Sequence, residues 1–431
     1  MKNRRESKKW MKLDNAAKIY PAAKKRNWTA LFRISAELTE EIDPAVLEEA
    51  QRSVIARFPG FAQKLRRGMF WYYLEQNDGA PDIQKDVGNP CVRMNLRENR
   101  RFMFRVRYYE KRIAVEIFHV LSDGTGGLCF LKTLVAEYLR IKYGAEIPRG
   151  KGILDCSQAP KKEELEDAYL KYAKNVSRSR SEDSAFYIKG TDEAFDVVHI
   201  TTGIIPVKVI LQKAKEKGVT LTEYLTAVML MSLAKMQKEA NAVSHRQDTK
   251  PLKVCVPINL RQFYPCETLR NFAIYVNPGI DTRYGDYTFD EVLKHVHCYM
   301  GMEVTEKMLN AKIAANVKTE KNKVLRVVPL FVKNIAMKIT FNMVGDRQTS
   351  TSISNLGRIT LPEEMAKYVT RMDFILGPYS RNKVVLAAAS YGEYLYANFT
   401  RTIREATLER EFFRYLIKEG VPVKIESNRR Y

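Results

Sequence analysis

Cysteine and histidine are scarce in this chain, and long apolar runs are missing. Its six cysteines (Cys91, Cys129, Cys156, Cys255, Cys266 and Cys298) show no C-x-x-C pair and no regular spacing. That argues against a disulfide scaffold and a zinc site, and it predicts reduced thiols in a cytoplasmic protein. Ten Lys and Arg residues precede Trp28, but no continuous apolar stretch accompanies them, so no secretory signal is expected. The most apolar later stretch, VVPLFVKNIAMKITFNMVG (327–345), carries Lys333 and Lys338. A bilayer core would penalise each lysine by about 2.5–3.5 kcal/mol. The stretch therefore reads as an amphipathic helix of a soluble protein, with no transmembrane segment. Zinc-finger spacing, RNP-like aromatic motifs and short internal repeats are also missing, so sequence-specific binding of nucleic acid is not expected.

What is present bounds the class. At 431 residues the chain exceeds the size at which one hydrophobic core stops growing, so two domains or two related halves are expected. Its 45% hydrophobic and 28% charged residues mark a globular protein. A net charge of +22, from 72 Lys and Arg against 50 Asp and Glu, favours anionic partners: a nucleotide-bearing donor, an acidic carrier protein, anionic lipid or nucleic acid. Charge does not choose among them, and a contact with a membrane surface stays open.

Periodicity supplies the elements. NWTALFRISAEL alternates through Trp28, Ala30, Phe32 and Ile34 and predicts a half-buried strand. Asp43 and Pro44 predict the start of a helix bearing Leu47, Ala50, Val54 and Phe58. MFWYYLEQ, RFMFRVRYYE and RIAVEIF read as strands, and Leu128, Leu131, Val135 and Tyr138 mark a helix ending near Gly144. From residue 145 to about 192 the composition turns highly charged, and 161–184 reads as a charged linker between subdomains 1–160 and 185–431. Beyond it, strands are expected at FDVVHITTGI, PLKVCVPIN, RNFAIYV, STSISNLGRIT, RMDFILG, VVLAAASY, EYLYANFT and VPVKIES. Helices are expected over 206–218, 222–240, 289–342 and 408–416. The pattern is α+β, with mainly antiparallel or mixed sheets in each half.

One of the five histidines stands in FHVLSDGTG (118–126), where a strand runs into an Asp-Gly turn and a helix. A rigid strand end suits a catalytic group, although His-x-x-x-Asp-Gly alone equally fits a hydrogen-bonded structural histidine. Gly124 and Gly126 suit a turn with φ > 0, or a substrate passing close to the backbone. His295 and His297 are two apart on a predicted helix and cannot share a face, so no metal pair is expected there. His199 in a strand, His245 in a loop and Cys129 on the following helix read as structural.

HVLSDGTG, following RIAVEIF and leading into GLCFLKTLVAEYL, resembles the HxxxDG motif of the chloramphenicol-acetyltransferase-like superfamily. That superfamily includes condensation domains, wax-ester synthases and alcohol acetyltransferases. IYPAAKKRNWTALFRISAEL is similar to its opening strand, VPINLR and RNFAIYV to its central strand pair, and SISNLG to its crossover-strand segment. The resemblance runs from about residue 14 to 425, and alcohol acetyltransferases are nearest in kind. Condensation domains and wax-ester synthases usually show two adjacent histidines. Here Phe118 takes the first position and His119 matches the essential second.

The resemblance implies two chloramphenicol-acetyltransferase-like sandwich halves with a tunnel between them. In that tunnel His119 would act as general base, moving an acyl group from a pantetheine thioester to an alcohol with no covalent intermediate. Asp123, grouped with His119 in the catalytic motif, is implied to turn toward an arginine and hold the loop, with Arg261 as its partner. Ser352, Ser354 and Asn355 are the polar residues for the oxyanion; a serine is favoured, Ser354 is assigned to catalysis, and the choice of serine stays open. Gly124, Arg261, Asn271, Ser352 and Asn355 shape the site, Asn271 by bridging the halves. No metal and no permanent cofactor are implied. Acyl-CoA is the expected donor, and an acidic acyl-carrier protein is a further donor. Two other readings remain: a stand-alone condensation enzyme acting on carrier-bound substrates, and a non-catalytic basic binding protein, which the intact motif disfavours.

Overall fold

Alternation along Leu31–Leu38 sends Phe32, Ile34, Ala36 and Leu38 into one core and leaves Arg33 and Ser35 on the opposite face. In the computed structural model this strand is second in a five-stranded sheet with the order Val369–Leu376, Leu31–Leu38, Arg112–Phe118, Phe104–Tyr109, Gln84–Lys85. The structure describes residues 9–22, 29–174, 182–244, 247–322, 327–340, 347–379 and 381–429; Trp28 and His245 lie outside them. Helices Pro44–Arg57 and Gly124–Tyr143 pack together, and the second lies on Leu31–Leu38. Asp43 starts the first by accepting from the backbone N–H of Ala45 at 2.9 Å. Gly144, at φ 64°, ends the second in the left-handed conformation that glycine tolerates.

The larger sheet has eight strands. Its path runs Ala273–Val276, Leu252–Asn259, Thr351–Arg358, Val384–Tyr391, Tyr394–Arg401, His199–Pro206, Lys424–Ser427, and Gly279–Ile280 also pairs with Leu252–Asn259. Thr351–Arg358 is parallel to both neighbours and the other pairs are antiparallel, so the sheet is mixed. Every residue of Val384–Tyr391 is buried. Val385, Ala387 and Ala389 face the N-terminal core, while Val384, Leu386 and Ala388 face the C-terminal core, which explains an uninterrupted apolar run where alternation would otherwise appear.

Three features differ from the sequence reading. The first is Val369–Leu376, which lies in the C-terminal half of the sequence but completes the N-terminal sheet, antiparallel to Leu31–Leu38 with Phe374 opposite Ile34. Sheet membership thus crosses the division at 161–184, because Met372, Phe374 and Leu376 supply apolar surface to the N-terminal core. The second is the charged stretch itself, whose residues 164–169 pack into the fold while 161–163 and 182–184 stay exposed. Glu164 is buried in a two-pronged pair with Arg57, at 2.6 Å for each prong, and Tyr169 is fully buried. Pairing with a guanidinium removes the cost that made this carboxylate look solvent-bound. The third is a small sheet of Trp10–Lys12, Tyr72–Gln76 and Gln63–Arg67, in which only the middle strand had a clear alternating pattern. Among the described residues, no helix is long and apolar enough to cross a membrane.

Candidate active site

The strand Arg112–Phe118 delivers His119 to the seam between the halves. The His119 N–H donates to the Ala30 carbonyl at 2.9 Å, and Leu121 N–H closes a turn on the Phe118 carbonyl at 2.9 Å. From the opposite half, Asn271 Nδ2 donates to the His119 carbonyl at 2.8 Å and to Asp14 Oδ2 at 3.1 Å. Asn271 and Asp14 are both buried. The backbone of the histidine is therefore fixed from both halves, and its aim does not depend on a mobile loop.

The imidazole lies between aromatic rings. Tyr20 stacks on it with centroids 5.3 Å apart and planes 16° apart, and Phe32 tilts against it at 4.6 Å. The residue is half-buried, and Nδ1 is enclosed without a hydrogen bond of good geometry. Burial lowers the imidazole pKa below its ordinary value. Asp123, the Asn271 side chain and the Ser122 backbone pull the other way without overcoming it. That shift favours the neutral ring, the form that can accept a proton.

Asp123 is turned away from that ring. Its Oδ1 caps the helix Gly124–Tyr143, accepting from Thr125 N–H at 3.1 Å and Gly126 N–H at 3.2 Å. Its Oδ2 accepts from Arg261 Nη1 at 2.8 Å and from Phe272 N–H at 2.8 Å. With both oxygens engaged, the carboxylate acts on position, and grouping it with the groups that touch substrate is not what the geometry supports. Arg261 is held in turn by the carbonyls of Thr268 at 2.9 Å and Arg270 at 2.6 Å. A third tie across the seam runs from Ser122 Oγ to the Leu269 carbonyl at 2.6 Å.

The glycines of the motif serve close approach. Neither Gly124 nor Gly126 has φ > 0; both lie in the first turn of the helix, so the turn expectation is corrected. A Cβ on Gly126 would stand 2.1 Å from the Leu269 carbonyl oxygen, and one on Gly124 would stand 2.6 Å from Leu356 Cδ2. Only glycine lets the C-terminal half come so near this helix start.

The polar residues of the crossover strand have different occupations. Ser352 is buried and donates to the Cys255 carbonyl at 3.2 Å. Asn355 donates to Thr222 Oγ1 at 3.1 Å and accepts from Gly357 N–H at 2.8 Å. Ser354 is half-buried, two residues before the Leu356 side chain that lies against Gly124.

Elsewhere, His199 Nε2 lies 2.8 Å from Glu193, and His297 Nδ1 lies 3.2 Å from Glu223. Cys129 is buried, and burial pushes its thiol up to about 12, far from nucleophilic use. The sequence reading missed Tyr20, Asp14 and Ser122. Tyr20 and Asp14 sit outside any periodic element, and only their nearness in sequence to the opening strand hinted at the site.

Residues 168–375 match the sequence model of the alcohol acetyltransferase family, a span that holds Arg261, Asn271 and Ser354 but not the His119 loop. No curated protein matches the chain. Among solved structures, the first condensation domain of the calcium-dependent antibiotic synthetase superposes with a TM-score of 0.61 at 14% identity, over 97% of this chain and 100% of that one. Trichothecene 15-O-acetyltransferase from Fusarium sporotrichioides gives 0.61 at 9% identity, over 95% and 94%. Polyketide synthase associated protein 5 from Mycobacterium tuberculosis gives 0.59 at 11% identity, over 94% and 96%. The chain thus has the condensation-domain fold of the chloramphenicol-acetyltransferase-like acyltransferases, and its residues 168–375 match the alcohol acetyltransferase family.

Proposed function

We propose that the protein transfers an acyl group from acyl-CoA to an alcohol, with His119 as general base. The observation that carries this reading is a half-buried imidazole at the seam of the two halves, its backbone tied across that seam and its neighbouring carboxylate committed elsewhere. Nδ1 is enclosed, and Nε2 is the nitrogen assigned here to meet a substrate. It takes the hydroxyl proton as the alcohol oxygen bonds to the thioester carbon. The tetrahedral intermediate then expels the thiolate as the C–S bond breaks, and the imidazolium returns the proton to sulfur. An ester and free CoA result, with no covalent acyl-enzyme.

Charge gathers on the carbonyl oxygen during attack, and Ser354 is the proposed donor to it. Ser352 and Asn355 are engaged with their own neighbours, which leaves Ser354 as the serine suited to the role. The net charge of +22 suits the phosphates of CoA. A panel of acyl-CoAs crossed with alcohols and amines, scored by thiol release and product mass, tests the reading. Ester formation from acyl-CoA is the expected result. Turnover only with carrier-bound donors would transfer the chain to condensation chemistry, and no turnover with any donor would overturn the proposal.

A further inference from the structure

The helix Leu330–Thr340 is built inside out. A surface helix normally buries its apolar stripe and shows its polar face to water. Here the inward residues are Leu330, Lys333 and Asn334. Lys333 is 6% exposed, stands over the Trp71 ring at 3.6 Å and donates to the Phe70 carbonyl at 3.0 Å, and Asn334 Nδ2 donates to the Tyr72 hydroxyl at 3.1 Å. The outward residues are Phe331 at 59%, Val332 at 41%, Ile335 at 60% and Ile339 at 53% exposure. Their spacing places Val332, Ile335 and Ile339 on one stripe. Polar anchors thus hold the helix with its apolar side to solvent, an arrangement that is unfavourable unless something covers it.

The patch continues beyond the helix. Leu330 N–H donates to the Met69 carbonyl at 2.8 Å, which joins the helix start to the tip of the hairpin between Gln63–Arg67 and Tyr72–Gln76. Met69 and Phe70 are exposed at that tip. Basic side chains flank it. Lys338 on the helix and Arg67 opposite Tyr72, whose hydroxyl meets Asn334, are exposed. Neither residues 66–71 nor residues 327–340 contain an Asp or Glu.

We propose that this face docks the protein on an anionic lipid surface, with Phe331, Val332, Ile335 and Ile339 entering the headgroup boundary and Lys338 and Arg67 meeting lipid phosphates. An apolar stripe flanked by lysine and arginine is the pattern of a helix that lies in a membrane interface. Two copies meeting face to face would bring like charges together, which disfavours self-association. The helix also contacts Ile19–Ala22, whose Tyr20 stacks on His119. The proposal does not rest on the acyl-transfer reading, because binding is read without turnover.

The test is co-sedimentation of the full chain with vesicles of phosphatidylcholine alone and of phosphatidylcholine mixed with phosphatidylglycerol. Binding to the mixed vesicles, reduced but not abolished by salt, is expected. Ile335→Asp and Ile339→Asp should each weaken it about tenfold, with the melting temperature unchanged because both side chains face out. Lys338→Glu should weaken it less and only at low salt. Quenching of tryptophan emission by brominated phosphatidylcholine in the unaltered protein gives a readout independent of the variants. Failure of the unaltered protein to bind mixed vesicles, or equal binding by the Ile335→Asp/Ile339→Asp protein, would overturn the proposal. A variant that changes the molecular mass in light scattering but not vesicle binding would assign the face to a second copy instead.

Discussion

His119 and His199 each sit at the end of a strand with a carboxylate nearby in sequence, and the two carboxylates do opposite things. At His199 the Glu193 carboxylate reaches the ring at 2.8 Å, so the imidazole has a fixed partner. At His119 the Asp123 carboxylate is drawn off by Arg261 and the Phe272 N–H, each at 2.8 Å, and the rings of Tyr20 and Phe32 lie against the imidazole. The difference is that at His119 the nearest carboxylate holds the loop, whereas at His199 it holds the ring.

The sharpest way to break that comparison is to remove each ring in turn. His119→Ala should lower kcat for ester formation by about 10²–10⁴, while His199→Ala should stay within about threefold at a temperature where both are folded. Thiol release with parallel melting curves reads both. Removing the proposed oxyanion donor is next: Ser354→Ala should cost about 3 kcal/mol of barrier, and Ser352→Ala should cost kcat little. Equal effects would reverse the choice between the serines.

Arg261→Ala probes the diversion of Asp123 directly. It leaves a largely buried carboxylate without its guanidinium, and urea unfolding should show a loss of about 3–5 kcal/mol. The smallest effect is expected at Asp167, whose carboxyl burial, aided by the Asp14 charge, pushes up to about 6. A raised carboxyl pKa means that ionisation works against the fold, so stability falls as pH rises from the ordinary 3.8 through about 6. Asp167→Asn should remove that slope and add about 1–3 kcal/mol above pH 6.

Much of this arrangement was legible in the sequence, for local reasons. Asp123 follows His119 by four residues and immediately precedes the apolar helix, and a carboxylate in that place caps whatever helix follows. The strand Arg112–Phe118 and the helix Gly124–Tyr143 carry their own periodicities, so the motif could be placed on a strand end. Contacts between distant segments were not legible. No pattern near Tyr20 announces a ring over His119, and the strand Val369–Leu376 reads the same whichever sheet it joins. Glu164 looked solvated because its partner Arg57 lies 107 residues away. Gly126 was misread because the carbonyl it must admit, that of Leu269, belongs to the other half. The Leu330–Thr340 helix was foreseen as amphipathic, but periodicity alone does not say which stripe turns inward, and Lys333 over Trp71 decides it.

The pH dependence of kcat/KM for acyl-CoA and an alcohol, in the wild-type chain and in His119→Ala side by side, tests the central claim most directly. The wild-type rate should hold steady through neutrality and fall only below histidine's ordinary ~6.5, because burial lowers the imidazole pKa and the neutral ring is lost only in acid. The residual rate of the variant should lack that limb. An acid limb of the same position and height in His119→Ala would contradict the account.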